Sequence, residues 1–250
     1  MKRKLDWLLN SKDAGILFED HDILVIDKPS GLLVLPDRYH RSLPNLYEIL
    51  RQELGKVFVV HRIDKETSGI IVFAKNAESH KNLNAQFESR AVEKIYVAIC
   101  KGSADSNEGE IDVPLAESAE GIMMARKKNG KEAVTSYTVV EHFQGYALVG
   151  AIPRTGRTHQ IRVHLREIGL PILGDPLYGN GEPFFLSGVK SNYRKEGEEK
   201  PLLNRTALHA AKLTFDHPLS AKRMIWEAPL PKDMKTVLKY LRKFRAAAEA

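Results

Sequence analysis

The 250-residue sequence contains one cysteine, Cys100, and two tryptophans. A single thiol excludes an intramolecular disulfide framework and agrees with a reducing compartment. Cys100 stands in an apolar, strand-like run, where a thiol is a buried small hydrophobe rather than a nucleophile. No apolar run approaches the roughly 20 residues that span a bilayer. The basic start Met1-Lys2-Arg3-Lys4 is followed by an apolar stretch far too short for a signal peptide, so the expected location is cytoplasmic. There is no Gly-rich phosphate-cradling fingerprint and no CxxC metal pattern. His61, His159 and His164 lack a carboxylate or cysteine at ligand spacing. They read as hydrogen-bonded structural residues, with no metal expected. Internal repeats and a clear interdomain linker are missing as well.

What the sequence does have is an ordinary globular composition, 43% hydrophobic and 28% charged, in a chain long enough to bury a sizeable core. It carries 38 Lys and Arg against 32 Asp and Glu, a formal charge of +6, and a pI near 9.2. That excess favours a polyanionic partner. The charge is clustered at Arg126-Lys127-Lys128 with Lys131, at Lys190 to Lys195, and at Lys232 to Arg245. Each cluster alone is an ordinary solvated face; together they would suit a long RNA if other residues place a site between them.

Short β-prone runs at 16–18 and 23–26 lead to the turn Asp27-Lys28-Pro29-Ser30-Gly31 and a further extended run from Leu32 to Leu35. Helical spacing places Leu46, Ile49, Leu50 and Leu54 on one face of a helix within 42–54. Asn76 is positioned to cap a helix running to about Ser89. Residues 95–99 read as a strand, 101–109 as a loop, and 135–141 with 146–152 as a hairpin turning at Gln144-Gly145. Ile161, Leu165 and Ile168 mark a helix with Thr158 as its cap and Gly169 as its stop. Residues 179–204 have little periodicity and much charge, the pattern of a long surface excursion, with Phe184, Phe185 and Tyr193 available for stacking. Strands at 207–215 and 224–226 precede a last helix opening at Pro231, whose buried face is Met234, Val237, Leu238 and Leu241. Many strands with interspersed helices and no regular βαβ alternation predict an α+β fold on a mixed, largely antiparallel sheet.

The most unusual stretch is Val59-Val60-His61-Arg62-Ile63-Asp64-Lys65-Glu66-Thr67-Ser68-Gly69, flanked by apolar strands. Val60 and Ile63 give this polar loop an apolar underside, so it packs on the core and presents Asp64. Asp and Gly are also plain turn residues, and a charged turn is the competing reading.

Four ordered motifs decide between these readings. His61-Arg62-Ile63-Asp64 through Thr67-Ser68-Gly69, with Ala74-Lys75 after it, resembles the catalytic motif of the RluA-type pseudouridine synthases. Asp27-Lys28-Pro29-Ser30-Gly31 resembles the early turn of that family. Phe87-Glu88-Ser89-Arg90 through Lys94-Ile95-Tyr96 resembles its central tyrosine motif. Gly156-Arg157-Thr158-His159-Gln160-Ile161-Arg162-Val163-His164-Leu165, with Gly174-Asp175-Pro176-Leu177-Tyr178-Gly179, resembles its late motif. The likeness spans roughly residues 16 to 230. Ile63 stands where the family usually has leucine, a volume-conserving swap.

The resemblance implies isomerisation of uridine to pseudouridine in ribosomal or transfer RNA, on a pseudouridine synthase catalytic domain at 16–250. Against the family pattern, the expected departures are a surface insertion near 179–204 and, in place of the N-terminal accessory RNA-binding domain that many relatives carry, only a short extension at 1–15. Atoms are conserved and nothing is oxidised, so no cofactor is expected. A monomer with no obligatory protein partner and no membrane association completes the expectation. Asp64 becomes the catalytic carboxylate, as a nucleophile at sugar or base or as a base on the sugar. Arg162 becomes its cationic neighbour, opposing the rise in pKa that burial would cause, and Tyr96 stacks on the target base. Arg62 enters the space that the flipped base vacates, Ile161 forms an apolar wall, and His61 and Thr67 complete the substrate side.

Two other classes remain on the residues alone. A non-catalytic RNA-binding protein would keep the basic clusters and have no need of Asp64 or Arg162. A glycosidic hydrolase would place two carboxylates across the bond, and Glu66 is the only nearby second one.

Overall fold

The computed structural model describes residues 15–126, 128–193 and 197–247. The expected extension up to residue 14, and Lys127, Arg194 and Lys195 of two basic clusters, lie outside the described residues. In chain order the elements are β1 (Gly15–Glu19), β2 (Ile23–Lys28), α1 (Leu46–Leu54), β3 (Phe58–Val59), β4 (Ser68–Ala74), α2 (Ala77–Glu88), β5 (Glu93–Lys101) and β6 (Glu108–Asp112). They continue as β7 (Leu115–Glu117), β8 (Met123–Ala125), β9 (Val134–Phe143), β10 (Tyr146–Pro153), α3 (Gln160–Glu167), β11 (Leu208–Asp216), β12 (Arg223–Glu227) and α4 (Lys232–Phe244). The chain forms two compact units. One holds the described residues up to Ile95 together with His209–Pro229; the other holds Tyr96–Leu208 and the described residues from Leu230.

In the first unit β2 lies antiparallel between β1 and β4. β11 joins β4 in parallel, and β12 joins β11 antiparallel. Every residue of β2 and β4 is buried, which their nearly unbroken apolar sequences require. Ile23, Val25, Ile70, Val72, Leu83 and Phe215 belong to one core. The expected cap of α2 is present, with Asn76 Oδ1 accepting the Ser79 N–H at 2.9 Å. Asn45 caps α1 in the same way through Glu48 N–H at 3.0 Å. The run Leu32 to Leu35 is not a strand. Leu33 and Val34 instead accept the Leu46 and Tyr47 N–H groups and tie the segment to the start of α1.

In the second unit β5, β10, β9 and β6 form an antiparallel order, with the β9–β10 hairpin turning where expected. The stripe Met234, Val237, Leu238 and Leu241 of α4 is buried as predicted. The expected loop at 101–109 holds over 102–107, but strand β6 begins inside it at Glu108. It pairs with the edge of β9 and buries only Ile111, too weak an alternation to register in the sequence. The 179–204 segment is not wholly a surface excursion. Phe184, Val189 and Leu203 are core residues, and Phe184 packs edge-on against Tyr146 at 5.7 Å. Its ring is therefore engaged by the protein and not presented for stacking. Tyr193 remains half-buried, with the Lys190 ammonium 5.7 Å from its ring.

Candidate active site

The Asp64 loop joins β3 to β4 and is braced from several directions. Lys28, at the end of β2, is 0% exposed. Its ammonium donates to the carbonyls of Pro29, Leu32 and Lys65 at 2.9, 2.8 and 3.1 Å. A buried ammonium needs such partners, and here they gather the early turn and the Asp64 loop around one charge. Gly31 N–H donates to Lys65 O at 2.8 Å and Ser30 Oγ to Glu66 O at 2.7 Å. Within the loop, Thr67 N–H donates to the Asp64 carbonyl at 3.2 Å.

The two shoulders of the loop are fixed as well. His61 Nε2 accepts the Val72 N–H at 3.1 Å, and its ring stacks on Phe87 with centroids 4.7 Å apart. Burial, with a smaller push from the Lys94 charge, lowers the His61 pKa to about 3, so the ring is a neutral acceptor. On the other shoulder, Ser68 Oγ bonds His209 Nδ1 at 2.9 Å, and His209 Nε2 reaches Ala228 O at 3.3 Å. Gly69 has φ +110°, and a Cβ there would lie 2.2 Å from the Ala210 carbonyl oxygen. Only glycine allows β4 to approach β11 so closely in that conformation. In this frame Ile63 is buried, Thr67 is 2% exposed, Asp64 and His61 are half-buried, and Arg62 is exposed.

Tyr96, Ile161 and Arg162 belong to the second unit. Tyr96 lies on β5 opposite Ala151, half-buried against the core. Ile161 and Arg162 open α3, all of whose residues from Gln160 to Leu165 are buried. The cap is His159, in the left-handed region at φ 55°, rather than Thr158. Its Nδ1 bonds the Tyr178 hydroxyl at 2.8 Å, and that contact holds the tight entry into the helix.

The buried polar side chains of this helix, Gln160, Arg162 and His164, all have partners. Thr155 Oγ1 and Arg157 N–H donate to Gln160 Oε1, and Gln160 Nε2 donates to Val134 O and Thr135 Oγ1. His164 spans Thr135 Oγ1 and Val113 O at 2.9 and 3.0 Å. Because a carbonyl only accepts, His164 Nε2 carries the proton and Nδ1 receives the Thr135 hydroxyl. Burial pushes the His164 pKa down despite the opposing Val113 carbonyl and the Glu167 and Asp112 charges.

Arg162 donates through Nε and Nη2 to Asp175 Oδ2 and Oδ1 at 2.6 and 2.8 Å. Its guanidinium carbon lies 4.9 Å from the Tyr178 ring centroid. Burial works against the charge of Asp175, yet Arg162 and the N–H groups of Leu177 and Tyr178 hold its carboxyl below the ordinary range. Asp175 is in a matched motif, but no spacing argument connects it to Arg162 in advance. Lys28, Ser30 and His209 are likewise supports that the sequence reading left without a role.

Among the described residues one group of potential metal donors has its ligand atoms within 4.8 Å of one another: Asp20, Asp22 and His217. They already hold protein partners. Asp20 Oδ1 accepts the N–H groups of Asp22 and Ile23, its Oδ2 meets His217 Nε2 at 2.9 Å, and Asp22 accepts from Asn76 and Ser79. Among the same residues no helix is long and apolar enough to cross a membrane.

Comparison with known proteins gives the class to which this α+β scaffold belongs. The family described as RNA pseudouridylate synthase matches residues 22–167. The ribosomal large subunit pseudouridine synthase D of Pseudomonas aeruginosa is 41% identical, over 97% of this chain and 76% of its own. An uncharacterized RNA pseudouridine synthase of Bacillus subtilis, YlyB, is 36% identical over 96% of this chain and 76% of its own. The structure of human RNA Pseudouridylate Synthase Domain Containing 4 superposes with a TM-score of 0.71 at 28% identity, covering 91% of this chain and 93% of that one.

The chain belongs to the RNA pseudouridylate synthase family. It is an RNA pseudouridine synthase of the RluA type, an intramolecular isomerase whose substrate is RNA.

Proposed function

We propose that the substrate is large-subunit ribosomal RNA and that Asp64 is the carboxylate at the reacting uridine. The target reading rests on the 41% identity to a large-subunit synthase across nearly the whole chain. The Asp64 reading is supported by the bracing of its loop from Lys28, Ser30 and His61, since a reacting group has to be held in place for orientation to lower a barrier.

In the reaction the N1–C1′ bond breaks, the uracil turns, C5 bonds to C1′, the C5 proton leaves to solvent, and N1 gains a proton. No redox change occurs. An ionised Asp64 serves as the nucleophile or as the base. Arg162 supplies the positive charge that keeps a carboxylate ionised in a closed site, and Asp175 sets the plane of that guanidinium. Tyr96 stacks on the target base, Ile161 forms the apolar wall beneath it, and Arg62 occupies the space it vacates. His61 and Thr67 contribute through the loop that they hold. Residues 16–250 act as one catalytic domain, in the cytoplasm and as a monomer.

The test is a map of pseudouridine across total RNA from cells with and without the gene. Loss of sites in large-subunit ribosomal RNA is the expected result. Loss confined to transfer RNA would overturn the target.

A further inference from the structure

We propose that the exposed turn Arg38-Tyr39-His40-Arg41 is an RNA-contacting surface, with Tyr39 stacking on an unpaired base beside the reacting uridine and Arg38 and Arg41 meeting its phosphates. The proposal rests on RNA being the substrate and not on which RNA it is.

Tyr39 is 83% exposed, the most exposed large hydrophobic side chain among the described residues, and Leu35 and Leu43 on the same segment are also exposed. A ring this exposed has its faces available for stacking on a base. The turn is nonetheless built. Asp37 Oδ1 accepts the N–H groups of Tyr39 and His40 at 2.9 and 2.8 Å, and Leu43 N–H closes on His40 O at 3.1 Å. The ring is therefore presented by an ordered backbone.

Its position follows from the anchors on either side. Upstream, Lys28 and Gly31 bind the carbonyl of Lys65, the residue after Asp64. Downstream, the Leu46 and Tyr47 N–H groups of α1 donate back to the Leu33 and Val34 carbonyls. The segment thus leaves from the Asp64 loop, and its two ends are tied to each other. The electrostatics agree: the His40 and Tyr39 N–H groups hold the Asp37 carboxyl below its ordinary range, and His40 and Lys65 add smaller attractions.

A cleft of about 470 Å³ opens beside the turn, lined by Pro36, Asp37, Arg38, Arg41, Asn45 and Glu48. That size lies within the ~300–1,000 Å³ typical of small-ligand clefts. Its two carboxylates are engaged locally, Asp37 by backbone N–H groups and Glu48 by Arg51 at 2.9 and 3.0 Å. Arg38 and Arg41 are the cations of the lining; Asp37 stays ionised there, turned to the backbone N–H groups of its own turn. Aromatic ring, flanking arginines and open cleft are the elements of a single-strand binding platform.

The test uses the full chain and two probes, an unmodified large-subunit ribosomal RNA transcript and a mixed-sequence single-stranded oligoribonucleotide. Tyr39→Ala is expected to weaken binding of both by about tenfold, and Tyr39→Phe to bind as wild type. Arg38→Gln and Arg41→Gln are each expected to lower the salt slope of binding by about one. Tyr39→Ala binding within about twofold of wild type would overturn the proposal, as would equal losses in Tyr39→Phe and Tyr39→Ala, because stacking does not need the hydroxyl. A wild-type protein that forms no pseudouridine in the transcript yet loses oligoribonucleotide binding with Tyr39→Ala would refute the assigned target and support this surface. Unchanged RNA binding with loss of a protein partner in the Tyr39→Ala variant would refute the surface as an RNA site.

Discussion

Arg162 and Asp175 form a two-pronged buried ion pair, Nε to Oδ2 at 2.6 Å and Nη2 to Oδ1 at 2.8 Å. Asp175 Oδ1 also accepts two backbone N–H groups of the 175–178 turn. One carboxylate therefore closes that turn and fixes the guanidinium plane. Removing one member of such a pair leaves a buried charge uncompensated, which costs about 3–5 kcal/mol. Asp175→Ala is expected to lose stability on that scale in urea denaturation. Asp175→Asn, which keeps an acceptor for the turn, should lose less, and equal losses in the two would show that the turn acceptor contributes nothing beyond the charge.

Asp64→Asn is expected to abolish pseudouridine formation while leaving a folded, RNA-binding protein. The amide is nearly isosteric and fills turn positions as well as Asp does, but it is a poor nucleophile and a poor base. Each factor of ten in rate is about 1.4 kcal/mol of barrier, and a loss of several factors should appear as absent tritium release from C5-labelled uridine in substrate RNA. Activity within a few-fold of wild type would remove Asp64 from the chemistry.

Gly69→Ala tests the support of the loop rather than the reacting group. The added Cβ would meet the Ala210 backbone in a conformation that L residues rarely adopt. Strain and overpacking each cost about 1–3 kcal/mol, so a loss of at least about 2 kcal/mol is expected in thermal or chemical denaturation, with reduced turnover because β4 begins where the Asp64 loop ends. A variant as stable as wild type would mean that the β4–β11 approach yields easily.

Stability should fall on acidification before the carboxylates titrate. The His61 pKa is lowered from 6.5 to about 3 in the fold, and that of His164 is lowered too. Below pH ~6.5 the unfolded chain binds protons that the folded chain refuses, so stability is fully present above that pH and drains away as pH falls toward 3. Urea midpoints measured from pH 7 to pH 4 should slope downward, and the slope should be shallower in His61→Gln. An unchanged slope in that variant would place the effect elsewhere.

Much of the local structure was legible without coordinates, because its causes are local. The Asn76 cap, the α4 stripe and the Gln144-Gly145 hairpin each depend on residues within a few positions of one another. The four motifs were legible too, since their order and spacing survive in the linear chain, and with them the chemistry that Asp64 is assigned. The sequence by itself also determined the charge balance and the single buried thiol.

Tertiary structure alone decided which distant groups share a partner. The contact of Lys28 with the Lys65 carbonyl spans 37 positions, and that of Ser68 with His209 spans 141. Periodicity carries no record of contacts at such separations. The α3 helix reads as amphipathic, yet Gln160, Arg162 and His164 are buried alongside Ile161 and Leu165. Their partners, Thr135, Val113 and Asp175, come from other segments of the chain. Burying a polar side chain is favourable only where a partner waits, and where partners wait is a property of the folded chain. The same holds for Phe184, whose polar surroundings in sequence suggested an exposed ring, and which the fold sets against Tyr146.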